Sequence, residues 1–247
     1  MTQDAERMIE ACDEALFSIL TAFQPGDRRS FLGLLNLVRD RQPGYAYLEV
    51  GSDLGASLQP ALSDPRCAVA YSVDLRVAAQ PDERGRHYPF PDNTTAAMVA
   101  NLRPRVGEAG IAKLRTFDCD LADVPALAID RPPHLALVDA EHTNRAAFRD
   151  GLGVLRHLAP NAVLMFHDAN LVFDGLLNFD AMLRDRGGAV WSAFLPDTLF
   201  AVALGDLAGP AEAAFAGRAH DPAEFLSRSR INLYREIVAH REHWDVS

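Results

Sequence analysis

Apolar positions near the start of the chain recur at helical spacing: Met8, Cys12, Leu16, Ile19, Leu20 and Phe23. They predict one amphipathic helix, ended by Gln24-Pro25-Gly26. A second helix from Asp27 turns Phe31, Leu34, Leu35 and Val38 inward, and Pro43-Gly44 closes that region. The pattern then changes to short apolar runs: Tyr45–Val50, Cys67–Val73, Lys113–Phe117, Leu135–Val138 and Ala162–Phe166. Each is too short for a typical helix, and most contain Val, Tyr or Phe. Helical segments such as Asn93–Arg105 and Arg145–Leu158 lie between them. This alternation predicts an α/β fold, a parallel sheet with crossover helices. Ala189–Phe194 and Leu199–Leu204 are joined by Leu195-Pro196-Asp197-Thr198, with no room for a helix, and predict an antiparallel hairpin at the end of the sheet. The tail, Pro222 to His243, reads as helix through Phe225, Leu226, Ile231, Tyr234, Ile237 and Val238. Arg76 to Asp92 is rich in charge, Pro and Gly and is expected to be a mobile loop.

Length and charge narrow the function. A chain of 247 residues can bury a full core without staples. The formal net charge of −10 argues against sequence-independent nucleic-acid binding, which needs basic surface. Cys12, Cys67 and Cys119 are odd in number and lack zinc-site spacing, so free thiols and a reducing, cytoplasmic setting are expected. Met1 to Glu10 is polar and acidic, unlike a secretory signal. The most apolar region, Gly188 to Leu207, is interrupted by Pro196 and Asp197, so no membrane span is expected.

Ligands of open α/β sheets bind at the carboxyl ends of the strands. The first strand is followed by Glu49-Val50-Gly51-Ser52-Asp53-Leu54-Gly55-Ala56-Ser57. Its two glycines let the backbone approach a ligand, and the following helix offers N–H groups to an anion. Asp74 ends the second strand, 23 positions after Gly51, near the ~20 of a nucleoside-binding unit, where a carboxylate accepts from ribose hydroxyls. Asp118 or Asp120, after the third strand, is placed to bond an adenine amino group; for Asp120, helix capping is the alternative. The fourth strand delivers Asp139-Ala140-Glu141-His142, and the fifth His167-Asp168-Ala169-Asn170. These groups suit Mg²⁺, Mn²⁺ or another divalent ion, or a general base, His142 or His167.

The succession Glu49-x-Gly51-x-x-x-Gly55-x-Ser57, Asp74, Val138-Asp139-x-x-His142 and Phe166-His167-Asp168 resembles a class I S-adenosylmethionine (SAM)-dependent methyltransferase. It is most similar to the branch of small-molecule and sugar O-methyltransferases of the macrocin type. The likeness runs from about Tyr45 to Leu204. It implies a Rossmann-like seven-stranded sheet, mostly parallel with an antiparallel terminal hairpin and helices on both faces. It also implies an N-terminal helical segment (1–43), a SAM-binding α/β domain (44–207) and a C-terminal helical extension (208–247).

The same resemblance implies roles. Glu49, Gly51, Ser52, Gly55 and Ser57 would line the methionine part of SAM, Asp74 the ribose, and Asp118 or Asp120 the adenine. Asp139, His142, His167 and Asp168 would face a small-molecule acceptor, with Asp139 also beside the cofactor. A divalent metal would be held by Asp139 and Asp168, with Asn170 as third ligand. The chain departs from the family at Glu141, where Gly or Asp is commoner, and at Ala169, which separates Asp168 from Asn170. Pro160-Asn161-Ala162 replaces the usual Gly-Gly turn.

A methyl transfer to a hydroxyl is therefore expected, with Asp139 and Asp168 orienting the acceptor through a metal and His142 or His167 as base. Two rivals share parts of the pattern: a nicotinamide-dependent oxidoreductase, whose three-glycine fingerprint is missing here, and a non-catalytic scaffold of the same fold. Arg84, Arg86, His87 and Tyr88 offer an anionic or sugar-like group a partner, or else form a solvated loop. The helices outside the sheet leave apolar faces that a homodimer would use.

Overall fold

A computed structural model describes residues 2–125 and 127–241. In chain order it contains α1 (Thr2–Glu10), α2 (Pro25–Arg41), β1 (Ala46–Val50), α3 (Leu58–Ser63), β2 (Val69–Val73), β3 (Ala79–Pro81) and β4 (His87–Pro89). There follow α4 (Thr95–Ile111), β5 (Leu114–Phe117), β6 (Leu135–Val138), α5 (Asn144–Leu155), β7 (Val163–Phe166), α6 (Phe173–Asp185), β8 (Val190–Phe194), β9 (Phe200–Leu204), α7 (Ala208–Phe215) and α8 (Pro222–Arg241).

Seven strands form one sheet in the order β5-β2-β1-β6-β7-β9-β8. β5, β2, β1, β6 and β7 are parallel, while β9 pairs antiparallel with both β7 and β8. The strand order reverses between β1 and β6, which makes their carboxyl ends the ligand-binding point of an open sheet.

Two hydrophobic clusters explain why these runs are strands. Successive side chains alternate faces, so Tyr47, Leu135, Leu137, Val163 and Met165 join the cluster under α1–α4 and α7. Their neighbours Leu48, Ala136, Val138, Leu164 and Phe166 join the cluster under α5, α6 and α8. Burial on both sides is what makes these strands nearly continuous apolar runs.

Three expectations need correction. The N-terminal pattern is not one helix: α1 ends at Glu10, Cys12 turns the chain with φ +51°, and Asp13 caps a short 3-10 turn, Glu14–Leu16. Leu16, Phe17, Ile19 and Phe23 remain buried from irregular backbone, but Leu20 is 87% exposed. Pro25 does not end a helix but starts α2, at the first-turn position where its missing N–H costs nothing. The segment Arg76 to Asp92 is not a plain loop: it carries the antiparallel pair β3–β4, tied to the sheet mouth by a bridge from Asp82 to His142. In the tail, α8 is described to Arg241, and the expected end at His243 lies outside the described residues. Among the described residues no helix is long and apolar enough to cross a membrane.

Candidate active site

The loop after β1 is shaped by its glycines. Gly51 has φ +85° and Gly55 φ +90°. A Cβ on Gly51 would lie 2.1 Å from the Asp139 carbonyl oxygen, and one on Gly55 2.9 Å from Met98 Cγ. Only glycine adopts this backbone and permits this approach. The Asp74 carboxylate at the end of β2 braces the loop. It accepts the N–H groups of Ser52 (2.9 Å), Asp53 (3.0 Å) and Arg76 (2.7 Å). Asn93 Nδ2 adds a longer bond at 3.3 Å.

Two cavities meet at Gly51. The first, about 230 Å³, is lined by Val50, Val73, Asp74, Leu75 and Gln80, and by Cys119, Asp120 and Glu141 beyond them. Asp120 also caps the 3-10 turn after β5, accepting from the Ala122 N–H at 2.9 Å, so the capping alternative holds together with a place on the cavity wall. Asp118 bonds Thr95 and is not among the residues lining either cavity. Gln80, on β3, is buried with its Oε1 unpaired. Sequence reasoning missed it, because nothing in a charge-rich segment marks one glutamine as inward-facing.

The second cavity, about 250 Å³, is lined by Ser52, Asp53 and Ser57, by Asp139, His142, His167, Asp168 and Asn170, and by residues distant in sequence: Leu20, Arg84, Tyr88, Phe90 and Glu236. Glu49 is not on this wall. It lies fully buried beneath the loop, accepting from Tyr47 Oη (2.6 Å) and Ser57 Oγ (2.7 Å). Burial pushes its carboxyl from 4.5 up to about 8, against the two hydrogen bonds that favour ionisation.

At the ends of β6 and β7, His142 Nε2 sits 3.3 Å from Asp139 Oδ1 and 3.2 Å from Asp168 Oδ2. The ligand atoms of Asp139, His142 and Asp168 lie within 4.8 Å of one another. Burial opposes a charge on His142, but Asp139 and Asp168 outweigh it and hold the imidazole above its ordinary 6.5. Burial likewise opposes ionisation of Asp139, yet the two histidines hold it well below the usual carboxylate range.

His167 is placed differently. It is buried, stacked on Phe23 at 4.3 Å between centroids. Its Nδ1 faces Asp139 at 3.3 Å, while Nε2 faces Asp27 at 3.4 Å and Thr198 Oγ1 at 3.2 Å. Burial works against its charge, but Asp139 and Asp168 keep it well above 6.5. Both ring nitrogens are therefore engaged with protein. Asp27 was hidden from sequence reasoning by its ordinary place near a helix start, where it accepts from the Gln24 N–H. The same carboxylate also accepts from the Thr198 N–H at 2.8 Å, fastening α2 to the β8–β9 turn.

A parallel sheet with an antiparallel β9, a glycine loop at the strand-order reversal and two cavities meeting there define a class I methyltransferase fold. Residues 48–169 match a family model described as a methyltransferase domain, so the chain carries a class I methyltransferase domain. Among solved structures, a cofactor-bound protein, Rv0187 from MTB, is 15% identical. Its TM-score is 0.52, over 81% of this chain and 89% of that one. A Klebsiella pneumoniae protein classed provisionally as an O-methyltransferase is also 15% identical, with TM-score 0.53 and the same coverages. The O-methyltransferase TomG from Streptomyces achromogenes, involved in tomaymycin synthesis and solved with SAM, is 19% identical, covering 80% and 88% at TM-score 0.49. Comparison with curated protein sequences gives no match.

Proposed function

We propose that the chain transfers the methyl group of SAM to a hydroxyl of a small molecule. The observation that carries this reading is the Asp139–His142–Asp168 cluster on the wall of a cavity that shares Gly51 with a second, nucleoside-sized one. The first cavity suits the adenosine, with Asp120 and Gln80 offering acceptors to polar edges. Asp74 acts by holding the loop N–H groups in place. Gly51, Ser52 and Ser57 line the passage to the second cavity and suit the methionine part. Glu49 supports that wall from beneath through Ser57.

The methyl carbon of a sulfonium is already electrophilic, so the protein has to align the acceptor oxygen, exclude water and take the proton. Alignment alone can contribute up to about 7–11 kcal/mol. As the oxygen–carbon bond forms, the carbon–sulfur bond breaks and its electron pair stays on sulfur, leaving a thioether. The hydroxyl proton passes to the His142 ring, whose Nε2–H donates to Asp139 and Asp168, and these carboxylates stabilise the resulting imidazolium. A base tuned upward from 6.5 suits work near neutral pH. His167, held by Asp27, Thr198 and Phe23, keeps Asp139 in position and is assigned no proton-transfer step.

The donor set also fits a divalent ion, since mixed carboxylate and imidazole donors at this spacing suit Mg²⁺ or Mn²⁺. Asp139 and Asp168 would hold it, with His142 or Asn170, whose buried Oδ1 has no partner. It would supply Lewis acidity that lowers the pKa of the acceptor hydroxyl.

Calorimetric titration with SAM and S-adenosylhomocysteine, followed by turnover of Asp139→Asn with and without chelator, tests the reading. Micromolar binding with turnover lost in the variant supports it. A folded protein that binds neither nucleoside overturns it.

A further inference from the structure

Resting on the proposed methyl transfer, we infer that the acceptor is a flat aryl compound, neutral or cationic, whose ring lies against Tyr88 and Phe90 and whose hydroxyl faces His142. The argument starts from the second cavity's outer wall. β4 and the residue after it present Tyr88 and Phe90 as an aromatic pair, centroids 5.3 Å apart. Leu20 comes to the same cavity from the segment before α2. Leu20 is 87% exposed and Tyr88 50% exposed. Large apolar side chains left open on a cavity wall suit an apolar face of a ligand. An aryl ring covers both side chains with a flat apolar face and gains aromatic stacking that a sugar lacks.

Charge selects further. Arg84 is the one arginine or lysine among the described residues lining this cavity. It is already neutralised: its guanidinium meets Asp82 at 2.6 Å and Glu236 at 3.3 Å. Arg86 outside the wall meets the same Glu236 at 3.9 Å. The two histidines face Asp27, Asp139 and Asp168. An anionic acceptor would enter a wall whose cations are all paired and which also carries Asp53 and Glu236. A desolvated, unpaired charge is costly, so carboxylated and phosphorylated acceptors are selected against. The arginines that make this segment look anion-binding in sequence are instead its internal braces.

The test is a panel with one dihydroxyphenyl core: catechol, its 4-(2-aminoethyl) analogue and its 4-carboxylate, beside methyl glucoside. Each is offered to the SAM-loaded protein. SAM binding is measured first, so that its absence marks failure of the methyltransferase reading and not of this inference. With SAM bound, catechol and the amine should show kcat/KM at least tenfold above the carboxylate and the glucoside. Tyr88→Ala, at an exposed position, should raise KM for catechol about tenfold while leaving the SAM Kd unchanged. Glu236→Gln, which removes a carboxylate from the cavity wall and leaves Arg84 with Asp82 as its partner, should raise kcat/KM for the carboxylate several-fold. Preference for the glucoside or the carboxylate, no turnover of either aryl compound with SAM bound, or an unchanged KM in Tyr88→Ala would each overturn the proposal.

Discussion

Replacing Glu49 by glutamine tests the buried carboxyl beneath the glycine loop after β1. In the folded chain its acid holds its proton to about pH 8, because burial strips it of water, although Tyr47 and Ser57 hydrogen-bond its oxygens. In the unfolded chain it ionises near 4.5. Folding therefore takes up a proton between those values, and stability is present below the lower one and lost as pH rises towards the upper. The slope approaches about 1.4 kcal/mol per pH unit, so roughly 3 kcal/mol disappears between about pH 5 and pH 8. Glutamine has the shape of the neutral acid, and both hydroxyl contacts survive if one hydroxyl turns from donor to acceptor. The expected outcome is a wild type whose stability falls relative to Glu49→Gln by about 3 kcal/mol across that window. Urea unfolding at intervals of half a pH unit, followed by tryptophan fluorescence, measures it. A difference curve that is flat from pH 5 to 8 would refute the reasoning and mean that Glu49 is ionised in the folded chain.

Gly51→Ala should cost several kcal/mol, from a left-handed backbone worth ~1–2 kcal/mol and from a Cβ 2.1 Å from the Asp139 carbonyl oxygen; urea midpoints and SAM titration would both show the loss. His142→Asn should lower kcat by about 10²–10⁴ with SAM affinity unchanged, since the ring touches Asp139 and Asp168 and not the glycine loop. Asp64→Ala should destabilise by about 1–3 kcal/mol, because the buried Arg39, whose Nε lies 3.1 Å from Asp64 Oδ2, keeps only Glu6 and Glu10, and Tyr45 Oη loses its acceptor; equal denaturation midpoints for variant and wild type would sink that estimate.

The sheet was legible in the sequence because each central strand is buried on both faces. Continuous apolar runs such as Leu135–Val138 and Val163–Phe166 have no second reading once helices flank them. The turns that end those strands were legible for a related reason: polar residues directly after such runs, Asp74, Asp139, His142 and Asp168, have to emerge at one edge of the sheet. The N-terminal segment failed because apolar spacing reports which residues are buried and not the backbone that carries them. Leu16, Ile19 and Phe23 are buried as the spacing requires, yet they hang from a 3-10 turn and irregular chain, with Leu20 left outside. What no local pattern could supply was the pairing of distant charges. Arg84 and Glu236 are 152 positions apart, and Asp27 meets Thr198 across 171. Only the closed fold shows that the first contact pairs the arginine of the second cavity's wall, while the second fixes α2 to the β8–β9 turn beside His167. The cluster at the strand ends thus follows from local sequence, whereas the outer wall of the second cavity depends on contacts that exist only when β4, α8 and the N-terminal segment meet around it.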